Sequence, residues 1–287
     1  MNYEEFKDAV KNKVKDYLPQ QYADWEVKDM ELCKVNEKVE AFSLVSPDAQ
    51  TGKAAAPVIY YETLYDFYKS GTMLSDVLSN IAGLIQDGKR YFEIEQRCIA
   101  IDDYNYCRDK VIIEVINRDT NKELLETLVY RKYLTDLVVV YRLVVGNQES
   151  TLVTNVLFEA WGISEDRLFS DAYYNTPNRS EFTIKSLAET FGIPDDMLVL
   201  TNEDGLFGAA AMMYPEKLNE AAEIIGGNFY LLPSSLHELI LVDVEGKDVN
   251  MLKDLVKTIN TVMVAPADYL SDNVYYYDRE TELVKTA

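Results

Sequence analysis

The chain has one histidine, His237, in 287 residues, and its three cysteines, Cys33, Cys98 and Cys107, are odd in number and lack CxxC spacing. Transition-metal centres draw on imidazole and thiolate, so a metal site lacks its donors and a disulfide framework lacks its pairs. Reduced thiols and no bound metal are expected. No apolar run approaches the roughly 20 residues that span a bilayer. The start, MNYEEFKDAVKNKVKDYL, mixes charge with periodic apolar residues, where a signal peptide needs a basic start and an unbroken apolar block. These absences predict a soluble, cytoplasmic protein without membrane contact. Neither phosphate loop, G-x-G-x-x-G or G-x-x-x-x-G-K-S/T, occurs, so no nucleotide cofactor is implied. The nucleophile elbow G-x-S-x-G is missing as well.

Positive charge is scarce. Lys and Arg number 28 against 49 Asp and Glu, a formal charge of −21. Nucleic-acid binding rests on cationic neutralisation of phosphates, so direct DNA or RNA binding is disfavoured. An acidic surface favours solubility and attracts basic partners, including proteins that otherwise hold nucleic acid. The 49 acids make chance clusters such as Asp102-Asp103 and Asp195-Asp196 unavoidable, and neither has EF-hand spacing.

Packing material is ample, with 48 % apolar residues and 21 tyrosines. Residues 3–18 place Phe6, Val10 and Val14 on one helical face, closed by Pro19. Trp25–Lys34 and Lys38–Val45 read as a hairpin, Ser46–Pro57 as a loop, and Val58–Tyr61 as a strand entering a helix over 62–69. That segment carries Tyr60, Tyr61, Tyr65 and Tyr68, expected to pack on a core. Leu74 to Ile85 form a helical stripe stopped near Gly88, and 91–109 is expected to be helical. Val111–Ile116 and Leu137–Val145 read as buried strands around a short helix or turn at Lys122–Leu128. Helices follow at 155–161 and 164–174, then at 184–191 before Gly192-Ile193-Pro194.

Beyond that point, Met197–Asn202 and Leu206–Met213 read as strands around Asp204-Gly205, Pro215 opens a helix, and Asn228–Leu232 and Glu238–Val244 are strands before a last helix at Val249–Val262. The tail from Val274 to Arg279 reads as an edge strand or covering segment. The expected class is α+β, with mostly antiparallel sheets and packed helices in two lobes, 1–192 and 193–287, the second ordered β-β-α-β-β-α.

The candidate site, if there is one, is Ser234, Ser235, His237 and Glu238 within Leu232-Pro233-Ser234-Ser235-Leu236-His237-Glu238. Pro233 fixes φ, the serines can bond nearby amides, and Ser235 to Glu238 fits a capping box, so a turn is the expected role. A catalytic reading needs a hydroxyl about 3 Å from the imidazole and an acid on its other nitrogen, which neighbours in sequence rarely achieve.

The stretches Leu134-Thr135-Asp136-Leu137-Val138-Val139-Val140-Tyr141-Arg142, Val153-Thr154-Asn155, Trp161-Gly162-Ile163-Ser164, Leu198-Val199-Leu200-Thr201-Asn202, Phe207-Gly208-Ala209-Ala210, the His237 loop and Leu270-Ser271-Asp272-Asn273-Val274-Tyr275 resemble a bacterial family, domain of unknown function 5688. The organisation is more distantly similar to the YtpQ-like family. The resemblance implies a bacterial intracellular setting, mobile elements included, and brings no activity, cofactor or catalytic residue. The leading expectation is a non-enzymatic protein that binds another macromolecule, a protein with a basic surface, as an accessory or counter-defence factor. The competing expectation is a hydrolase or small-molecule-binding protein with a carboxylate-containing site near His237.

Overall fold

The computed structural model describes residues 1–47, 57–95, 101–146, 150–187 and 197–287, with the backbone alone for 88–95. The fold is α+β, built of antiparallel sheets and packed helices. It divides into two compact units, Met1–Lys34 with Lys38–Ala100, and Val35–Glu37 with Ile101–Ala287.

In the first unit, helix α1 (Tyr3–Lys13) starts at a capping box in which Asn2 and Glu5 bond each other's backbone amides. Strands β1 (Glu26–Lys34), β2 (Glu37–Val45) and β3 (Ile59–Tyr60) form a three-stranded sheet, followed by α2 (Tyr61–Lys69) and α3 (Leu74–Glu95). Three of the four tyrosines pack as expected, Tyr61 against Phe42 and Tyr65 and Tyr68 against Phe6, whereas the Tyr60 ring lies under the Lys34 ammonium, 3.7 Å from its centroid. Helix α3 runs on through Gly88. Most of the predicted loop 46–57 lies outside the described residues.

The second unit begins with α4 (Tyr104–Cys107) and a 3-10 turn, Arg108–Lys110, where one helix over 91–109 was expected; residues 96–100 of that span lie outside the described residues. Strand β4 (Val111–Asn117), α5 (Lys122–Leu125), β5 (Tyr130–Lys132), β6 (Leu137–Val144) and β7 (Ser150–Leu152) follow. β6 pairs with β4 along one edge and with β5 and β7 along the other. Helices α6 (Asn155–Trp161) and α7 (Glu165–Arg179) are joined through Gly162, whose φ of 61° suits glycine.

The other sheet has six strands, in the order β13-β12-β10-β11-β9-β8. They are β8 (Phe182–Ser186), β9 (Leu198–Asn202), β10 (Phe229–Pro233), β11 (Leu239–Asp243), β12 (Tyr275–Asp278) and β13 (Leu283–Thr286), with α8 (Pro215–Ile225) and α9 (Val249–Val262) between them. The expected helix at 184–191 is instead β8 over its described part, because Phe182-Thr183-Ile184 pairs in register with β9. The lobe boundary expected at 192 falls outside the described residues, and the strands flanking it belong to one sheet.

The second lobe therefore departs from β-β-α-β-β-α at two places. Leu206–Met213 is not a strand: Gly208–Met213 is a buried 3-10 helix. Its run of Gly and Ala lets the backbone pass close to the β10–β11 loop, where a strand of larger side chains would not fit. The tail is not a lone edge strand either. β12 sits inside the sheet between β10 and β13, and Tyr275 and Tyr277 are fully buried.

Candidate functional site

The β10–β11 hairpin reverses through residues 234–238, with Pro233 opposite Leu239. Each candidate residue in the loop has a local partner. The Ser234 hydroxyl donates to Glu238 Oε1 at 3.1 Å, the Ser235 amide donates to the Glu238 carbonyl, and the Ser235 hydroxyl accepts from the His237 amide. Glu238 thus bonds the Ser234 side chain, where a capping box would have it bond the Ser235 amide.

The His237 imidazole is committed at both nitrogens. Nδ1 accepts the Phe207 amide at 3.1 Å, so Nε2 carries the hydrogen and donates to Asp268 Oδ1 at 3.2 Å. A Ser-His-Asp arrangement needs a free imidazole nitrogen facing a hydroxyl, and here neither nitrogen faces one. The His237 carbonyl accepts from the Thr201 hydroxyl at 2.7 Å. Two backbone contacts complete the brace, Ala209 amide to Leu236 carbonyl and Leu236 amide to Asp268 carbonyl.

This brace holds a strained residue. Phe207 has φ of 58°, the left-handed region that a phenylalanine seldom adopts, and its amide is the one that His237 holds. At Gly208 a Cβ would sit 2.4 Å from the His237 carbonyl oxygen and 2.6 Å from Thr201 Oγ1. Gly208→Ala is therefore expected to destabilise the fold by about 1–3 kcal/mol or more through overpacking against backbone. A urea melt indistinguishable from the wild type would contradict that close approach.

Beside Phe207 lies a cavity of about 490 Å³. Ile112, Ile113 and Val144 line it from β4 and β6, Arg179 and Ser180 from the end of α7, and Asn202, Asp204 and Phe207 from the β9 turn. The Arg142 guanidinium lies 4.6 Å from the Phe207 ring centroid and donates to Ser150, another lining residue. Arg142 also pairs with Glu114, its Nε and Nη2 reaching Oε2 at 2.8 and 2.7 Å. Glu114 is opposite Val140 in the ladder, so Arg142 is its diagonal neighbour on the same face. Glu114 is buried, and its second oxygen, Oε1, has no hydrogen-bond partner among the described residues. Burial pushes its carboxyl above the usual range, against the opposing pull of Arg142.

Glu114 and Arg142 are absent from the site expected from sequence. The signal was there: each is the one charge inside a strand run that is mostly apolar, VIIEVIN and LVVVYRLV. Asp268 and Phe207, 31 and 30 residues from His237, carried no such mark. Of the acidic pairs, Asp103 caps α4 by accepting the Asn105 amide, and Asp195-Asp196 lies outside the described residues. Among the described residues, no group of three or more His, Cys, Asp or Glu could hold a metal ion, and no helix is long and apolar enough to cross a membrane. Cys33 is exposed, Cys107 is buried with its thiol donating to the Ile101 carbonyl at 3.4 Å, neither is in a disulfide among the described residues, and Cys98 lies outside them.

The class so defined is an α+β protein of antiparallel sheets in which the histidine loop braces a cavity wall. The chain belongs to the family of unknown function DUF5688, whose profile matches residues 3–279. No curated protein and no solved structure matches it.

Proposed function

We propose that the protein acts without catalysis, by binding a protein with a basic surface, as an accessory or counter-defence type of factor. The observation that carries this reading is on α9. Leu252 and Val256 pack beneath the helix with Leu232, Val242 and Val274. On another face Met251, Leu255 and Val262, spaced i, i+4 and i+11, form one stripe and are 71 %, 42 % and 76 % exposed. Met263, just past the helix end, is exposed as well. Uncovered apolar rows of this kind mark interaction surfaces in soluble proteins.

Charge points to the partner's chemistry. The second unit holds 33 acidic against 16 basic side chains, a formal −17 of the total −21. A partner that offers an apolar patch rimmed by Lys and Arg complements both features, and its association is steered by the field and weakened by salt. Such a partner includes proteins whose basic surface otherwise holds nucleic acid.

The test is capture from host lysate by tagged wild type and by the double variant Met251→Glu, Leu255→Glu, with half of each sample challenged by excess duplex DNA. The expected result is a discrete basic partner held by the wild type, displaced by DNA and lost from the variant, while both show the same thermal melt. Equal capture by wild type and variant, or no basic partner at all, overturns the reading. A partner that is lost from the variant but resists DNA retains the α9 interface and removes the nucleic-acid-mimicking version.

A further inference from the structure

Arg179 and Asp204 stand apart among the polar groups that line the cavity beside Phe207. The others are engaged within the fold. Ser150 accepts from Arg142, and the Thr176 hydroxyl lies between the Ile113 amide and the Ala172 carbonyl. The Ser180 hydroxyl accepts from the Asp204 amide, and the Asn202 side chain bonds both the amide and the carbonyl of Leu206. The Arg179 guanidinium and the Asp204 carboxylate have no ion-pair or hydrogen-bond partner among the described residues, and they do not pair with each other. The cavity thus offers one cation, one anion and an apolar wall of Ile112, Val144 and Phe207.

We propose that this cavity binds a free α-amino acid with a bulky apolar side chain. The planar guanidinium of Arg179 suits a carboxylate in bidentate fashion, whereas Asp204, an acceptor only, suits an ammonium. A ligand with a single charge leaves one of the two groups without a partner. A zwitterion that carries both charges on one carbon, with an apolar substituent directed at the wall, satisfies all three surfaces at once. The volume of about 490 Å³ falls within the roughly 300–1,000 Å³ typical of small-ligand pockets. The wall is held in shape from behind: His237 fixes the Phe207 amide, and Arg142 lies over the Phe207 ring. The α9 stripe has no part in this cavity, so this inference is independent of the protein-binding reading.

The experiment is titration calorimetry on the full chain with L-phenylalanine and L-leucine. Phenylalaninamide, which lacks the carboxylate, N-acetyl-L-phenylalanine, which lacks the ammonium, and the dipeptide Phe-Phe complete the set of probes. The variants are Arg179→Met and Asp204→Asn, both at exposed side chains without structural partners, with thermal melts to verify folding. The expected result is binding of the free amino acids, weakened roughly tenfold or more when either charge is removed from the ligand or from the protein, as the loss of one charge-assisted hydrogen bond implies. Absence of heat with both amino acids at millimolar concentration overturns the proposal. So does undiminished affinity for the N-acetyl or amide form, affinity unchanged from the wild type in the two variants, or tighter binding of the dipeptide.

Discussion

Replacing Arg142 with methionine is expected to destabilise the protein by about 3–5 kcal/mol, because it leaves a buried carboxylate without its cation. Arg142 donates twice to Glu114, which is 1 % exposed, and Glu114 Oε1 already lacks a partner among the described residues. Methionine keeps much of the apolar stem, so the loss reports the charge rather than a void. The effect has a pH signature. Burial holds the folded Glu114 pKa above its unfolded value even with Arg142 present. The contribution of such a group is fully present below the unfolded pKa and is lost as pH rises through the folded pKa. Without Arg142 the folded pKa rises further, so Arg142→Met loses more stability relative to wild type at pH 8 than at pH 5. The double variant Glu114→Gln, Arg142→Met removes the buried charge and is expected to recover part of the loss and to flatten the pH dependence. Urea melts of the wild type and both variants at the two pH values measure this. If the double variant is no more stable than the single one, or the single variant shows no pH dependence, the ion pair is not what the site requires.

The same pair marks the boundary of what sequence reasoning reaches. Helical periodicity located α1, the first part of α3, α8 and α9, and the apolar runs located β4 and β6, because those signals are local. Pairing is not local. Glu114 meets Arg142 only through the β4–β6 register, and nothing in either run names the other. β12 is interior because β13 pairs outside it, which a tyrosine-rich tail does not announce. Gly208 to Met213 has apolar residues suited to a strand, yet the close passage of the His237 carbonyl selects a 3-10 helix. The turn at 234–238 was legible from Pro233 and the serines, whereas the imidazole's partners Phe207 and Asp268 come from distant segments.

Once the chain is folded, the stretches that carry the family resemblance meet one another. The Phe207-Gly208 stretch closes on the His237 loop, and Arg142 from the Leu134–Arg142 stretch lies on the Phe207 ring. Asp136, from that same stretch, meets Ser271 and Tyr275 from the Leu270–Tyr275 stretch. In these positions the motif residues hold the fold together, and the chemistry of the cavity rests on residues beside them, Arg179 at the end of α7 and Asp204 in the turn after β9.

Asp136→Ala is accordingly expected to be as damaging as the loss of Arg142. Asp136 is 8 % exposed and accepts three hydrogen bonds inside the second unit: Ser271 Oγ at 2.6 Å, the Tyr275 hydroxyl at 2.8 Å and Asn117 Nδ2 at 3.3 Å. Tyr275 and Ser271 are fully buried, and their hydroxyl oxygens lie 2.9 Å apart, close enough to bond each other if the carboxylate is removed. Burial pushes the Tyr275 phenol far above its ordinary pKa, with the Asp136 charge adding to the shift, so it stays protonated as a donor. Removing the carboxylate leaves these donors facing an alanine, at about 1–3 kcal/mol for each buried group left without a partner, or about 3–5 kcal/mol in all once the Ser271–Tyr275 bond compensates in part. Tyr275→Phe removes a donor along with its need for an acceptor and is expected to cost about 1 kcal/mol. In the double variant Asp136→Ala, Tyr275→Phe one orphaned donor is gone, so the combined loss is smaller than the sum of the single losses. Denaturant melts of the four proteins give this coupling directly. Strict additivity would mean that Asp136 and Tyr275 contribute independently and that the carboxylate does not organise the layer between β6 and β12.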